Sequence, residues 1–496
     1  MRVAELFKVK NPEIRALHLT WIAFFISFYV WFNMAPLATT MIKETGWLTM
    51  KDIKIFAICN VALTIVARIF IGMLQDKIGP RKCFSGLMIL MAIPCLTFAF
   101  GNSAAQLLVS RLVLSSIGAS FSIGIHMTAL WFKPKDIGFA EGFYAGWGNF
   151  GAAGAAMTIP SVALGIFGGT NGWRYAIAMN AIVMFLYGIF YFFAMTDGPA
   201  GRPQHKPRKV AAMEVSTWSD MVKLIITIIP LFGILSILVW KIQKAGYMGP
   251  GGAIIAYAVI GLVTLYQIIQ VLIVNIPTLK KGVPEDDKYH FNSVVSLNTT
   301  YFANFGSELA IVSMIPAFFE MTWSLTPERA GLIAASYSFV NLIARPLGGY
   351  LSDKFTSRKK IMIFYMLGIA IGYFLMGLMT SAWPLILATI IVIGASFFVQ
   401  GAEGATFGIA PMIKRRLTGQ ISGMAGAYGN VGAVFFTFMY TFVSPNMFFM
   451  IMAACSFGSA IVCLFMLKEP EGAFSEEYHM SSVDMQIEKE MAGSKK

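Results

Sequence analysis

The stretch "ARIFIGMLQDKIGPRK" (residues 67–82) sets a permanent cation, Arg68, in an apolar segment that ends in a charged loop. It reappears without a gap as "ARPLGGYLSDKFTSRK" (residues 344–359). Arg68 and Arg345 lie 277 positions apart, and so do Asp76 and Asp353. A second landmark follows in the same order. "GWGNFGAAGA" (146–155) is echoed by "GAYGNVGAVF" (426–435), with Asn149 and Asn430 281 positions apart. Two landmarks in one order and nearly one register imply an internal duplication.

Composition identifies the medium. Hydrophobic residues make up 57% of the 496 and charged residues 13%, too little charge to cover a soluble protein of this size. Apolar blocks of about 20 residues are long enough to cross a ~30 Å hydrocarbon core as helices. They predict spans at about 17–42, 52–72, 83–101, 105–132, 138–167 and 173–196. Two more, 222–243 and 251–275, stand outside the repeat, and 291–320, 328–350, 360–381, 383–410, 418–444 and 446–467 complete the second half. The expected fold is all-α and membrane-integral, two pseudo-symmetric six-helix halves with an inserted pair, about fourteen spans. The units expected are residues 1–200, a connector with the inserted pair at 201–290, residues 291–468, and a polar, disordered tail at 469–496. The first block is too long for a signal-peptide core and reads as an uncleaved span.

Basic residues concentrate in alternate loops, "DKIGPRK", "KPKD", "RPQHKPRK", "SDKFTSRKK" and "IKRRLTG", while "GNSA", "GGTNG", "TSAW" and "SPN" are almost uncharged. By the positive-inside rule the basic loops and both termini are cytoplasmic. The net charge of +13 is then topology, with no need for a nucleic-acid partner. The five cysteines lack metal or disulfide spacing and read as packing residues. No P-loop, metal-ligand cluster or nucleophile arrangement appears. The chain reads as neither an enzyme nor a cofactor protein, and its work must draw on gradients rather than ATP.

The loop pattern G-x-x-x-D-x-x-G-x-R-K keeps its Gly, Asp and basic residues in the twin, where Thr356 replaces the second Gly. A small residue lets helix ends approach, and an aspartate beside basic groups can close an ion pair. Gly72, Asp76, Arg81, Gly349, Asp353 and Arg358 are therefore candidate gate residues, the alternative being topology signalling alone. Each mid-span arginine lies about eight residues before its loop aspartate, ~12 Å into the membrane at 1.5 Å per residue. Such a charge costs about 2.5–3.5 kcal/mol on insertion scales. One arginine could snorkel; two at related positions are harder to place that way. At an effective dielectric of ~20, two cations ~8 Å apart repel by roughly 2 kcal/mol, whereas an anion ~4 Å from both gains roughly 4 kcal/mol from each. The arginine fork also suits flat oxyanions. Arg68 and Arg345 are thus expected to form an anion clamp.

The loop pattern resembles that of the major facilitator superfamily. The two G-x-G-N-x-G-like stretches resemble signatures of its nitrate/nitrite porters. "LTWIAFFISFYVWFNMAPLATTM", "TYFANFGSELAIVSMIPAFFE" and "VQGAEGATFGIAPMI" extend the resemblance to NrtP-type nitrate permeases over nearly the whole chain. The resemblance implies import of nitrate, and of nitrite, by alternating access, with the anion gripped by Arg68 and Arg345. It also implies that Asn149 and Asn430 supply amides, Tyr301 a hydroxyl, and Phe305 and Phe28 walls. Members of the family either exchange nitrate for nitrite or move nitrate with protons. Glu308, Glu403 and His126 sit in apolar spans and are candidate proton carriers; structural pairing with an arginine is the competing reading. The leading expectation is a proton-coupled nitrate importer of the cytoplasmic membrane, working as a monomer among lipids. The alternatives are an exchanger, a carrier of another small anion, and a transporter-like sensor, for which the short tail offers no output domain.

Overall fold

The computed structural model describes residues 3–199, 211–325, 327–355, 357–440, 442–475, 477 and 480–493. The whole of the "RPQHKPRK" connector and Thr356 lie outside the described residues. Among the described residues, thirteen helical segments are long and apolar enough to cross a membrane. The first six are α1 (Pro12–Thr45), α2 (Met50–Ile78), α3 (Pro80–Ala99), α4 (Ala104–Trp131), α5 (Pro134–Phe167) and α6 (Gly172–Ala194). The inserted pair is α7 (Trp218–Lys244) and α8 (Pro250–Lys281). The second half comprises α9 (Phe291–Trp323), α10 (Arg329–Lys354), α11 (Arg358–Gly377), α12 (Leu385–Ile413), α13 (Thr418–Tyr440) and α14 (Pro445–Met466). Helix α13 stands apart from the thirteen, because its glycines and Asn430 dilute its apolar character; it nevertheless packs between α2 and α9.

The pairing of helices repeats between the halves. Helix α1 packs on α5 as α9 packs on α13, and α3 on α6 as α11 on α14. The two most extensive contacts across the seam are α2 with α13 and α5 with α10. Glycines at helical spacing make them possible. A Cβ at Gly138, Gly142 or Gly146 of α5 would fall on the carbonyls of Gly349, Arg345 or Asn341 of α10. Gly419 and Gly423 of α13 meet the carbonyls of Gly72 and Arg68 in the same way. At the basic-loop end the two halves therefore touch backbone to backbone.

Helix α7 lies on α2, α9 and α13, where the Tyr428 hydroxyl donates to the Thr227 carbonyl at 2.7 Å. Helix α8 packs on α7 and leaves Ile254, Ile255 and Leu262 exposed, as suits a lipid-facing periphery. The disorder expected of the tail is corrected. Residues Ser482–Gly493 form a further helix, α15, held at the basic end by Arg416. That guanidinium binds Asp287 through both Nη atoms (2.6 and 2.8 Å), Asp484 at 3.0 Å and Glu214 at 3.1 Å. Lys414 and the Ser481 hydroxyl also reach Asp287, each at 2.6 Å. A polar tail looks disordered in isolation; its partners are loops some 70 to 200 residues away.

Burial works against ionisation of Asp484, but Arg416 and Lys414 outweigh it and hold the carboxyl below its ordinary range. The contact is thus expected to be present above ~pH 4 and lost as pH falls further. Arg416→Ala leaves three acids without their shared cation, a loss of roughly 3–5 kcal/mol for a buried pair. The expected outcome is a lower melting temperature in detergent and rapid proteolysis within residues 480–493 at neutral pH.

Candidate functional site

Helix α4 loses its α-helical pattern at mid-membrane. A 3-10 turn over Ser115–Ala119 frees carbonyls that α2 takes up. The Thr64 hydroxyl donates to the Ser115 carbonyl at 2.5 Å, and Arg68 Nε to the Gly118 carbonyl at 3.0 Å. Arg68 Nη1 crosses the seam to the carbonyl of Gly426, where a Cβ would lie only 3.2 Å from that nitrogen. Its Cζ sits over the rings of Phe121 (5.0 Å) and Phe305 (5.5 Å). Arg68 is fully buried, its Nη2 has no hydrogen-bond partner, and among the described residues no carboxylate lies within ion-pair distance. The cation rests on dipoles and π faces alone.

Its twin is treated differently. Arg345, equally buried, forms an ion pair through Nη2 with Glu403 Oε2 and has Glu308 Oε2 3.9 Å away. Glu308 is further held by Asn341 (3.0 Å) and Gln400 (3.5 Å). Glu403 Oε1 has no donor. The two guanidiniums feel each other's charge, and Tyr301 lies in the field of both. Its buried hydroxyl lies against Arg345 without a well-aligned hydrogen bond.

Aromatic rings box in this centre. Tyr301 stacks on Phe305 (5.0 Å) and on Phe121 (5.8 Å), and meets Phe407 edge-on at 4.7 Å. Asn149 is one turn from Ala145, whose carbonyl accepts from Arg345 Nη1 at 3.4 Å. Asn430 is one turn from Gly426, the Arg68 acceptor, and its own Nδ2 donates there at 3.3 Å. Both asparagine carbonyl oxygens are buried and unpaired. Phe28 stands a layer away. It touches Phe24 and Trp31, and among the described residues no ring contact joins it to Tyr301 or Phe305.

The gate residues form crosswise latches. Asp353 accepts from the Gly138 and Phe139 amides (2.9 and 2.7 Å) near the start of α5, and from Arg358 at 2.8 Å. Asp76 accepts from the Gly419 and Gln420 amides (3.1 and 3.2 Å) near the start of α13. Each carboxylate thus sits at the positive end of a helix in the opposite half. The ion pair expected within the loop forms only in the second half. Arg81 instead turns to Asp197, at 3.9 Å, and the polar side chain beside Asp76 is His126, Nδ1 at 3.4 Å. His126 therefore belongs to the gate and not to the arginine centre.

Sequence reasoning missed Phe121, Phe407, Phe24 and Glu141, the last buried in α5 with neither carboxylate oxygen hydrogen-bonded. A signal for the rings existed. "GASF" (118–121) repeats as "GATF" (404–407), and "FFISF" (24–28) aligns with "YFANF" (301–305) at the offset that relates the two arginines. Glu141 has no counterpart of that kind among the motifs.

Comparison with known proteins gives a consistent family. The sequence model of the Major Facilitator Superfamily matches residues 20–280 and 297–487. The chain is 44% identical to the nitrate/nitrite transporter NrtP of Picosynechococcus sp., covering 96% of each chain. It is 41% identical to the nitrate/nitrite transporter NrtP of Nostoc punctiforme, over 94% of this chain and 95% of that one. Among solved structures, the transporter FucP superposes with a TM-score of 0.62 at 12% identity, over 91% of this chain and all of that one, a likeness of fold.

The latches are open to test. A carboxylate at a helix start contributes up to ~2 kcal/mol, so Asp353→Asn is expected to raise seam opening by roughly 5–30-fold. The measurement is the rate at which a water-soluble maleimide labels Ser352→Cys, a position fully buried in the closed seam.

Proposed function

The chain belongs to the NrtP-type nitrate/nitrite transporters of the Major Facilitator Superfamily, and on that premise we propose that it imports nitrate, and nitrite with it, as a secondary transporter working by alternating access in symport with protons. The observation that carries this reading is the buried Arg68, an uncompensated cation in an aromatic box at the seam of the two halves. Its free Nη2 and the Tyr301 hydroxyl are donors a flat oxyanion needs, and Asn149 and Asn430, whose unpaired atoms are carbonyl oxygens, would join them by turning their amide NH2 groups inward. Such an anion would gain roughly 4 kcal/mol from a guanidinium ~4 Å away, and the rings would exclude competing water. A neutral solute would leave the charge unanswered.

In this reading the basic loops and both termini face the cytoplasm, so the latches made by Asp76 and Asp353 close the inner gate and the carrier receives its anion from outside. Both arginines come from one chain, which makes the monomer the working unit. The halves at 1–200 and 291–468 rock about the seam, with α7 and α8 at the edge. Protons enter through the carboxylates beside Arg345.

Reconstituted into liposomes, the protein is expected to concentrate nitrate when the outside is made acidic. Uptake indifferent to that gradient but stimulated by internal nitrite would replace symport with exchange. Arg68→Ala is expected to weaken nitrate binding by ~100-fold or more at unchanged expression. Arg68→Lys should recover only part of it, because the point charge lacks the fork. Near-normal affinity in Arg68→Ala would remove the clamp.

A further inference from the structure

The two arginines are twins by sequence, but their surroundings are not. At the offset relating Phe407 to Phe121, Glu403 corresponds to Ile117; at the offset relating Arg345 to Arg68, Glu308 corresponds to Trp31. Both carboxylates thus belong to the second half, and both face Arg345. The centre holds two positive and two negative side chains, so it is electrically balanced when empty. A bound anion alone would leave it one charge negative in a water-free box, a costly arrangement.

The two acids differ in what else supports them. Glu308 Oε1 keeps two amide donors, Asn341 and Gln400, whatever Arg345 does. Glu403 leans on Arg345 alone, since its Oε1 has no donor. If an incoming oxyanion takes the Arg345 fork, Glu403 becomes an orphaned buried carboxylate, and the state that relieves it is the neutral acid. Titratable side chains from several helices surround this centre. They are Arg345 on α10, Glu308 and Tyr301 on α9, and Tyr365 on α11, which abuts Gly401. Across the seam, Arg68 on α2 interacts with Arg345, with Tyr301 and with Tyr144 on α5, and α5 also carries the buried Glu141 beside Tyr144. His126 on α4 and Tyr428 on α13 are engaged elsewhere, with Asp76 and Thr227.

We propose that Glu403 is the resident counter-anion of Arg345, which the transported oxyanion replaces as Glu403 takes up one proton from solvent. The inference rests on the transport reading above and supplies its coupling step. One carboxylate charge is exchanged for one substrate charge, and the proton travels on Glu403 Oε2 until the anion leaves and the ion pair re-forms. Proton and anion therefore bind together, and nitrate affinity strengthens as pH falls.

The test adds nitrate to the purified full chain in weakly buffered detergent solution and follows proton uptake with a pH indicator, alongside nitrate affinity across pH. The wild-type protein is expected to take up about one proton per nitrate bound, with affinity falling toward tenfold per pH unit at alkaline pH. Glu403→Gln should bind nitrate with no proton uptake and with affinity flat in pH, while Glu308→Gln keeps the one-for-one uptake. Absence of proton uptake by the wild type overturns the inference and the coupling it supplies while leaving nitrate transport itself standing, and needs no variant to fold. So does persistent uptake in Glu403→Gln, or its loss in Glu308→Gln alone. Failure of the wild type to bind nitrate at all overturns the transport reading and this inference with it.

Discussion

A guanidinium without a carboxylate in the middle of a membrane protein constrains everything packed around it. Arg68 is held by two carbonyls and two ring faces, and each demands a particular local structure. The Gly118 carbonyl is available because α4 tightens to a 3-10 turn at that depth. The Gly426 carbonyl is within reach because α13 carries glycine where any side chain would crowd the cation. The same glycine spacing lets α13 lie backbone to backbone on α2. Glycine-rich helices would be weak elements in water. Here they are the means by which polar main-chain groups reach a buried charge.

Duplication supplies the frame and divergence supplies the direction. In both halves an arginine, a loop aspartate and an asparagine occupy matching places, and each aspartate reaches across to a helix start in the other half. Identical surroundings would give two equivalent charges and no reason for one to respond differently from the other. The structure breaks the equivalence twice. Arg345 has carboxylates where Arg68 has none, and Asp353 has Arg358 where Asp76 has His126. A permanent cation braces one latch, and the other rests on helix-start amides with an imidazole beside it.

Much of this was legible in the sequence because charge in an apolar block is expensive and a repeat of it is seldom accidental. Arg68, Arg345 and the loop aspartates were found by that rule, and the helix count followed from length and hydropathy. The partners were not. Arg345 and Glu403 are both visible as intramembrane charges, but nothing in a linear pattern says that α10 and α12 bring them together. Phe121 and Phe407 were hidden for another reason. In a chain with 14% aromatics a single ring carries no signal, and only the paired "GASF" and "GATF" stretches mark these two. The tail was misread because its order comes from Asp287 and Arg416, far away in sequence.

The way the halves meet also bears on how they part. The seam at the basic end is built from main chain against main chain, with glycine hydrogens in place of interlocking side chains. Separating such surfaces disengages few rotamers and leaves no deep socket to be unplugged. What must be given up are carboxylate contacts to four amide hydrogens, two on each side, and side-chain donations from Arg358 to the Pro134 carbonyl and from Gln75 to the Gly419 carbonyl; water can replace these at helix starts without loss of helix. The aromatic box around Arg68 is the opposite kind of contact, buried and interlocked through stacked and edge-on rings from α4, α9 and α12. Easy separation at the rim and close packing at the centre together favour a tilt of the halves about the buried charge, with the rim the first part to open.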